Sequence, residues 1–517
     1  MKIIKKQYDV IFVLGEKYFD HPLCGVAILK RLLEKNNYSV AVIETPKSAE
    51  DITQFGKPRL FFGISSGAVD SMVRNYTSLN RPREKDELLG YEKNVVDRAV
   101  ITYCNWISQK FKESPKVIGG TEATLRRFTH YDYWQNSLRK SIIFDSRADI
   151  LVYGQGEKQI LEIANRLKKG KTLERIDGTC LRLKILPETE ENFIKLPTHE
   201  EVSESKEKFC GMQNLFSNEK NLVQKTGDFY IVQYKSPKYT TEDLDEYYEL
   251  PFSRDIKNVP HMGGFQFSVI THRGCVGNCN FCSIRLSMGD KIISRSEESI
   301  LREIKYITTL RGFKGIIDDF GGPSANMYGL DFDRDTVKSH ARLVNLLIEA
   351  RKITGIKKIF IRSGVRYDIA TPEYIKEIAE HHISGKLKIA PEHVNEEVLK
   401  LMNKNKGNLD KFIKEFDKLG CGELSFYFMT GHPGSSMKEA MELAEKIRYL
   451  KNSESVQIFT PTPMTVSTCM YYTSMDPATK KKIYVPYTFA EKKEQKRILD
   501  LRDQKNNWRH PIKRNTL

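Results

Sequence analysis

Residues 271–284 read THRGCVGNCNFCSI, and three of the chain's nine cysteines, Cys275, Cys279 and Cys282, crowd into this one stretch. Gly274 and Gly277 leave the loop free to wrap so that three sulfurs point inward. Thiolates are soft ligands that suit zinc or iron–sulfur clusters. A structural zinc asks for a fourth tetrahedral ligand, which His272 could supply, or Cys421 or Cys469 from elsewhere. A four-iron cluster held by three thiolates instead leaves one iron open to bind something else.

Working outward, a regular βα rhythm starts at Phe265. The candidate strands are QFSVIT, GIIDDF, KIFIRS, LKIA, LSFYFMT and VQIF, separated by helical patterns such as SEESILREIKYITTLRG and SSMKEAMELAEKIRYL. Six strands alternating with helices predict a parallel barrel, partial rather than eightfold. In such barrels chemistry sits at the C-terminal strand ends. The cysteine loop follows the first strand. GGPSAN (321–326), SGVRYD (363–368), PEH (391–393), GHPGSS (431–436) and TPTPMT (460–465) follow the other five, so six loops converge on one mouth.

Upstream, YDVIFVL, YSVAVIE, RLFFGIS, KVIGG and DILVYG alternate with helical runs and predict an open Rossmann-like α/β domain. No GxGxxG follows its first strand, so dinucleotide binding has no support. Residues 171–262 are polar with weak periodicity and read as a connecting segment. Within them YTTEDLDEYYELPFSRD reads as a helix stopped by Pro251. The domain reading is therefore 1–170 Rossmann-like, 171–262 connecting, 263–475 barrel and 476–517 a basic C-terminal tail or helix.

The composition agrees with a globular protein in a reducing compartment. Apolar residues make up 40% of its 517 positions. No apolar run approaches the length of a membrane span, and no secretory leader is legible, so a cytoplasmic location with no membrane partner is expected. The remaining cysteines are scattered without paired spacing, which argues against a disulfide framework. Net charge is +16, and residues 477–517 carry 12 basic against 4 acidic residues. That asymmetry reads as a solvated helix; contact with RNA is compatible with it, but no RNA-binding motif supports one. The stretch GGTEATLRRFTHYDYW mixes Arg126, Arg127, His130, Tyr131, Tyr133 and Trp134, which suits either stacking on bases or a helix end docked on the barrel.

Cys275, Cys279 and Cys282, with Phe281 before the last cysteine, resemble the signature of the radical S-adenosylmethionine (radical SAM) enzymes. More closely, the motifs from Tyr8 to the NNW at 506–508 resemble the YgiQ-type radical SAM proteins, an uncharacterised family. They include GKPRLFFGISSGAVDSMVRNYT, DSRADILVYGQGE, DDFGGPSANMYG, LKIAPEH and PTPMTVSTCMYYT. The resemblance implies a 4Fe-4S cluster and S-adenosyl-L-methionine (SAM) as cofactors. The open iron would chelate SAM, whose reductive cleavage yields a 5′-deoxyadenosyl radical. It implies a low-potential electron donor of flavodoxin or ferredoxin type and leaves the substrate unknown. Gly321 and Gly322 match the edge that holds the SAM amino group, while Pro323 replaces its acidic residue, so contact there would be through backbone carbonyls. Ser363 and Arg366 fall where relatives bind the SAM carboxylate or ribose, and Phe281 where adenine packs. Glu392, His393 and His432 are weak catalytic candidates with no acid–base pair assigned.

The first domain resembles cobalamin-binding domains, and a cobalamin-dependent radical SAM methyltransferase is one alternative. The Asp-x-His-x-x-Gly motif of those domains is absent: in FDHPLCG, Asp20 and His21 are adjacent and Gly25 lies four residues on, which weighs against cobalamin. Gly119 and Gly120 resemble a nucleotide-tail contact or any tight turn. A methylthiotransferase would need three further cluster cysteines, and only Cys24 and Cys104 precede the connecting segment. A non-enzymatic iron–sulfur redox or electron-transfer protein is the remaining alternative.

Overall fold

The structure, a computed structural model, describes residues 7–83, 95–186, 192–450 and 453–500, without side chains at 453–455. Its first half is built on one nine-stranded sheet. The strands are β1 (Val10–Leu14), β2 (Val40–Glu44), β3 (Phe61–Ser65), β4 (Lys116–Ile118), β5 (Ile150–Val152), β6 (Thr179–Leu183), β7 (Ile194–Leu196), β8 (Leu222–Thr226) and β9 (Phe229–Gln233). Their spatial order is β2-β1-β3-β4-β5-β6-β9-β8-β7. The first five are mutually parallel. β1 is VIFVL and buried at every position, as expected of a strand covered by helices on both faces.

Residues 171–262 do not merely connect. They extend the same sheet with β6, β9, β8 and β7, and β6 runs antiparallel to β5. These strands are hard to see because buried, satisfied amides interrupt their apolar runs. Gln233 Oε1 accepts from Arg127 Nε, and its amide donates to Ser217 and Lys220 carbonyls. Gln224 Oε1 accepts from Thr129 N. Leu222, Val223, Ile231 and Val232 are buried beside these amides, so the apolar pattern is interrupted rather than absent. The helix expected before Pro251 is present at Thr241–Tyr248 and opens on a capping box made by Thr240 and Asp243.

The second half carries six parallel strand positions: β10 (Val269–Ile270), a broken pair β11 (Ile316–Ile317) and β12 (Phe320–Gly321), β13 (Lys358–Ile359), β14 (Lys386–Glu392), β15 (Glu423–Thr430) and β16 (Ser453–Ile458). β12 pairs with β10 and β11 with β13. Val365 bridges to Ile389, and β14, β15 and β16 form a continuous ladder. All six candidate strands of the sequence are present, and the barrel is partial. Leu387, Ile389, Leu424, Phe426 and Phe428 face the surrounding helices in one core.

Two buried cations, Arg254 and Arg273, weld the halves together. Arg254 and Arg295 share the Glu303 carboxylate. Arg273 donates to Glu157 Oε1 and Gln155 Oε1, both at 2.7 Å, and to the Tyr248 hydroxyl. The C-terminal helix Phe489–Leu499 is as the sequence predicts, but its basic face is not wholly solvated. Lys492 is fully buried over the Tyr133 and Tyr471 rings and donates to Tyr471 Oη at 2.9 Å. Residues 501–517, including the NNW, lie outside the described residues.

Candidate active site

The cysteine loop leaves β10 through a short antiparallel pair, His272–Arg273 with Ile293–Ser294. The chain then turns at Gly274, whose φ is +82°. A Cβ there would lie 1.8 Å from the Lys291 carbonyl oxygen, so only glycine allows this close crossing. Gly277 is a second cradle: a Cβ would lie 2.1 Å from Arg366 Nη1 and 3.3 Å from Cys275 Sγ. Cys275, Cys279 and Cys282 are all half-buried. Burial pushes the Cys282 thiol up to about 11 and raises Cys279, while Lys404 and Arg366 pull Cys279 back down. Ligation by iron would take these thiols as thiolates, which two nearby cations favour.

The other five strand-end loops meet this one segment. From the second, Gly322 lies against His272, where a Cβ would come within 2.6 Å of the imidazole. From the third comes Arg366, whose fork is held by Asp368 through bonds of 3.0 and 2.6 Å. From the fourth, the Glu392 charge raises the Cys279 and Cys282 thiols, and the end of the following helix, Glu396–Leu401, grips the cysteine loop: Asn280 N donates to Met402 O, Asn280 Nδ2 to Leu401 O, and Asn403 Nδ2 to Asn278 O. From the fifth, the His432 ring packs edge-on to Phe281, with centroids 6.4 Å apart. Just past the sixth, at the start of the helix Val466–Thr473, Ser467 N donates to Asn280 O. Among the described residues no three His, Cys, Asp or Glu side chains converge on a single-ion site. A cluster spreads its ligands over separate irons and does not require that convergence.

The individual candidates separate by what already occupies them. Ser363 Oγ donates to Asp319 Oδ2, and Asp319 Oδ1 accepts from Arg362 N and Ser363 N. Asp319 thus shapes the third loop, a role no motif announced. Pro323 follows Gly322 and offers no side-chain donor. Glu392 has φ +68°, at a register shift between β14 and β15. This breaks the simple alternation that would send Glu392 and His393 to opposite faces; both are buried. Burial pushes Glu392 up to about 7, against the pull of Lys404 Nζ at 3.7 Å, and its Oε2 has no partner. His393 Nε2 is also unpartnered, and burial lowers that ring to about 4. His432 has both nitrogens engaged, with Pro433 O and Ser467 Oγ.

The mixed cation–aromatic stretch of the first domain is internal. Arg126 pairs with Asp70, and Arg127 donates to Thr124 O, Gln233 and Asn218. Both guanidinium groups are buried, so they cannot grip bases or phosphates. Gly120, at φ +78°, makes the tight turn after β4; a Cβ would lie 2.4 Å from Ser65 Oγ. His21 is buried, with Nε2 against Gln266 O and Nδ1 accepting from Leu23 N. Its ring is spent on joining the two halves.

Comparison with known proteins agrees with this geometry. The model described as Radical SAM N-terminal matches residues 2–265, and the Radical SAM superfamily model matches 269–447. The chain belongs to the radical SAM superfamily. A domain of unknown function, DUF3362, matches 454–517. The chain is 41% identical to UPF0313 protein MJ1155 of Methanocaldococcus jannaschii, over 97% of this chain and 90% of that one. It is 40% identical to UPF0313 protein FN0734 of Fusobacterium nucleatum, over 95% of each. As a radical SAM protein it is an enzyme, and its fold is similar to that of two solved ones. TsrM of Kitasatospora setae, a radical SAM methyltransferase solved with cobalamin and a 4Fe-4S cluster, aligns with a TM-score of 0.54 at 14% identity, over 95% of this chain and 85% of that one. OxsB, a cobalamin-dependent SAM radical enzyme, aligns at 0.53 and 12%, over 98% and 56%. No helix among the described residues is long and apolar enough to cross a membrane.

Proposed function

We propose that the chain binds a 4Fe-4S cluster through Cys275, Cys279 and Cys282 and cleaves SAM reductively. Bound there, the cluster would supply the electron that splits the SAM sulfonium into methionine and a 5′-deoxyadenosyl radical. The observation that carries this reading is the meeting of five strand-end loops on one three-thiol loop cradled by two glycines. The backbone of Gly321, Gly322 and Pro323 forms one edge of the mouth. Arg366, anchored by Asp368, places its free Nη1 beside the thiols, where a cation favours both thiolate ligands and a carboxylate. Ser363 acts through Asp319 as a positioning residue. Binding is tested by the electron paramagnetic spectrum of the reduced protein. SAM should shift it in the wild type and not in Cys279→Ala; a spectrum indifferent to SAM would sink the reading.

A second reading is favoured by fold: the solved neighbours carry cobalamin, so the sequence-based objection loses its force. His21 is engaged elsewhere, so cobalamin would bind without that histidine as ligand. An anaerobic absorbance titration decides. Binding that survives His21→Ala supports this reading, and no spectral change removes it. A low-potential electron carrier is the partner this chemistry requires.

A further inference from the structure

Two cysteines outside the cluster loop lie face to face. Cys210 sits on the helix Lys206–Leu215 of the first half, and Cys469 on the helix Val466–Thr473 that follows the last barrel strand. Their sulfurs are 3.7 Å apart, though the residues are 259 positions apart in sequence. Both are buried. Cys210 Sγ also donates to Thr473 Oγ1 at 3.4 Å, and Thr473 is held in turn by Cys469 O. The hydrogen bond from Cys469 draws the Cys210 thiol down to about 7, whereas Cys469 is raised well above the ordinary range by burial. Cys24 and Cys180, buried without such a partner, are pushed up to about 12. One sulfur is thus poised to attack and the other to resolve.

The two helices also frame a space. Gln213 and Asn214, one turn beyond Cys210, and Met464 to Val466, at the start of the helix of Cys469, line a cavity of about 860 Å³ that reaches Cys279 and Cys282. Gln213 Nε2 donates to Met464 O across it, and the neighbouring Ser467 N holds Asn280 of the cluster loop. We propose that Cys210 and Cys469 are a redox-active dithiol that low-molecular-weight disulfides convert to a disulfide, locking the first half to the segment that supports the cluster loop. The Cys210 thiolate attacks one sulfur of the disulfide and expels one thiolate. The Cys469 thiol then loses its proton and attacks the mixed disulfide, expelling the second. Two electrons and two protons leave the protein, and the oxidant departs as two thiols. Access is through local opening of the helix that carries Cys210.

The test uses the full, cluster-loaded chain under anaerobic conditions with bis(2-hydroxyethyl) disulfide, followed by acid quench, alkylation and peptide mass spectrometry. The expected result is a Cys210–Cys469 linked peptide, a protein mass lower by two hydrogens, and full reversal by dithiothreitol. Cys469→Ser should trap Cys210 as a stable mixed disulfide, and Cys210→Ser should leave Cys469 free to alkylate. The proposal is overturned if both wild-type thiols remain alkylatable while half-exposed Cys421 carries the adduct. It is equally overturned if linkage needs denaturant, or if Cys469→Ser leaves Cys210 unmodified.

Discussion

Gly274→Ala probes the cluster loop without removing a ligand. The new Cβ would stand 1.8 Å from Lys291 O and 2.8 Å from its carbonyl carbon, against an ordinary contact of 3.4 Å or more. Both are backbone atoms of the segment just before Ile293–Ser294, so no side chain can swing aside. Holding an alanine at φ +82° costs roughly 1–2 kcal/mol. Forcing the overpacked crossing apart costs about 1–3 kcal/mol more. The sum, about 2–5 kcal/mol, falls on the loop and on Arg273, which is anchored to Glu157 and Tyr248. The loop should give way first, since its three cysteines are only half-buried whereas β1 is buried at every position. Anaerobic reconstitution with iron and sulfide determination should find most of the iron lost. Far-ultraviolet circular dichroism should remain near wild type. Wild-type iron loading with an unchanged unfolding midpoint would refute the claim that this crossing shapes the cluster loop.

Cys279→Ala should abolish four-iron loading and leave the first half folded; iron content equal to wild type would void the ligand assignment. Asp70→Ala strands buried Arg126 and removes the acceptor for Met72 N and Val73 N, so chemical denaturation should show a loss of about 3–5 kcal/mol. Lys492 gives a pH signature. Burial lowers its pKa from 10.5 to about 8. Between those values the unfolded chain holds a proton that the folded one has released. The Lys492 contribution to stability should therefore rise with pH across that window by about 3 kcal/mol. Urea unfolding of wild type and Lys492→Met at the two ends of the window should show the wild type gaining on the variant by about that amount. Equal profiles would mean that Lys492 titrates normally.

Much of the fold was legible because apolar runs and helical periods recur in register from β1 to β5 and from β10 to β16. The three-thiol loop was legible because its cysteines stand close together within one short segment. What stayed hidden depends on partners far along the chain. β8 and β9 are joined by the two-residue turn Gly227-Asp228, a hairpin signal in its own right, but Gln224 and Gln233 interrupt the apolar pattern with buried amides. Arg126, Arg127 and Lys492 look like surface cations in the sequence. Only the fold brings Asp70, Gln233 and Tyr471 to them. Asp319 was read as part of a strand, yet it caps the third loop through Ser363. The side-chain direction of Glu392 could not be read from alternation, because a register shift and a positive φ occur at that residue.

The central claim is that three thiolates and five converging loops serve SAM cleavage. Its most direct test is quantitation of 5′-deoxyadenosine after anaerobic reconstitution, reduction with dithionite and addition of SAM. Wild type should produce 5′-deoxyadenosine and methionine together, and Cys279→Ala should produce neither. A fully loaded, reduced wild-type cluster that leaves SAM intact would contradict the account.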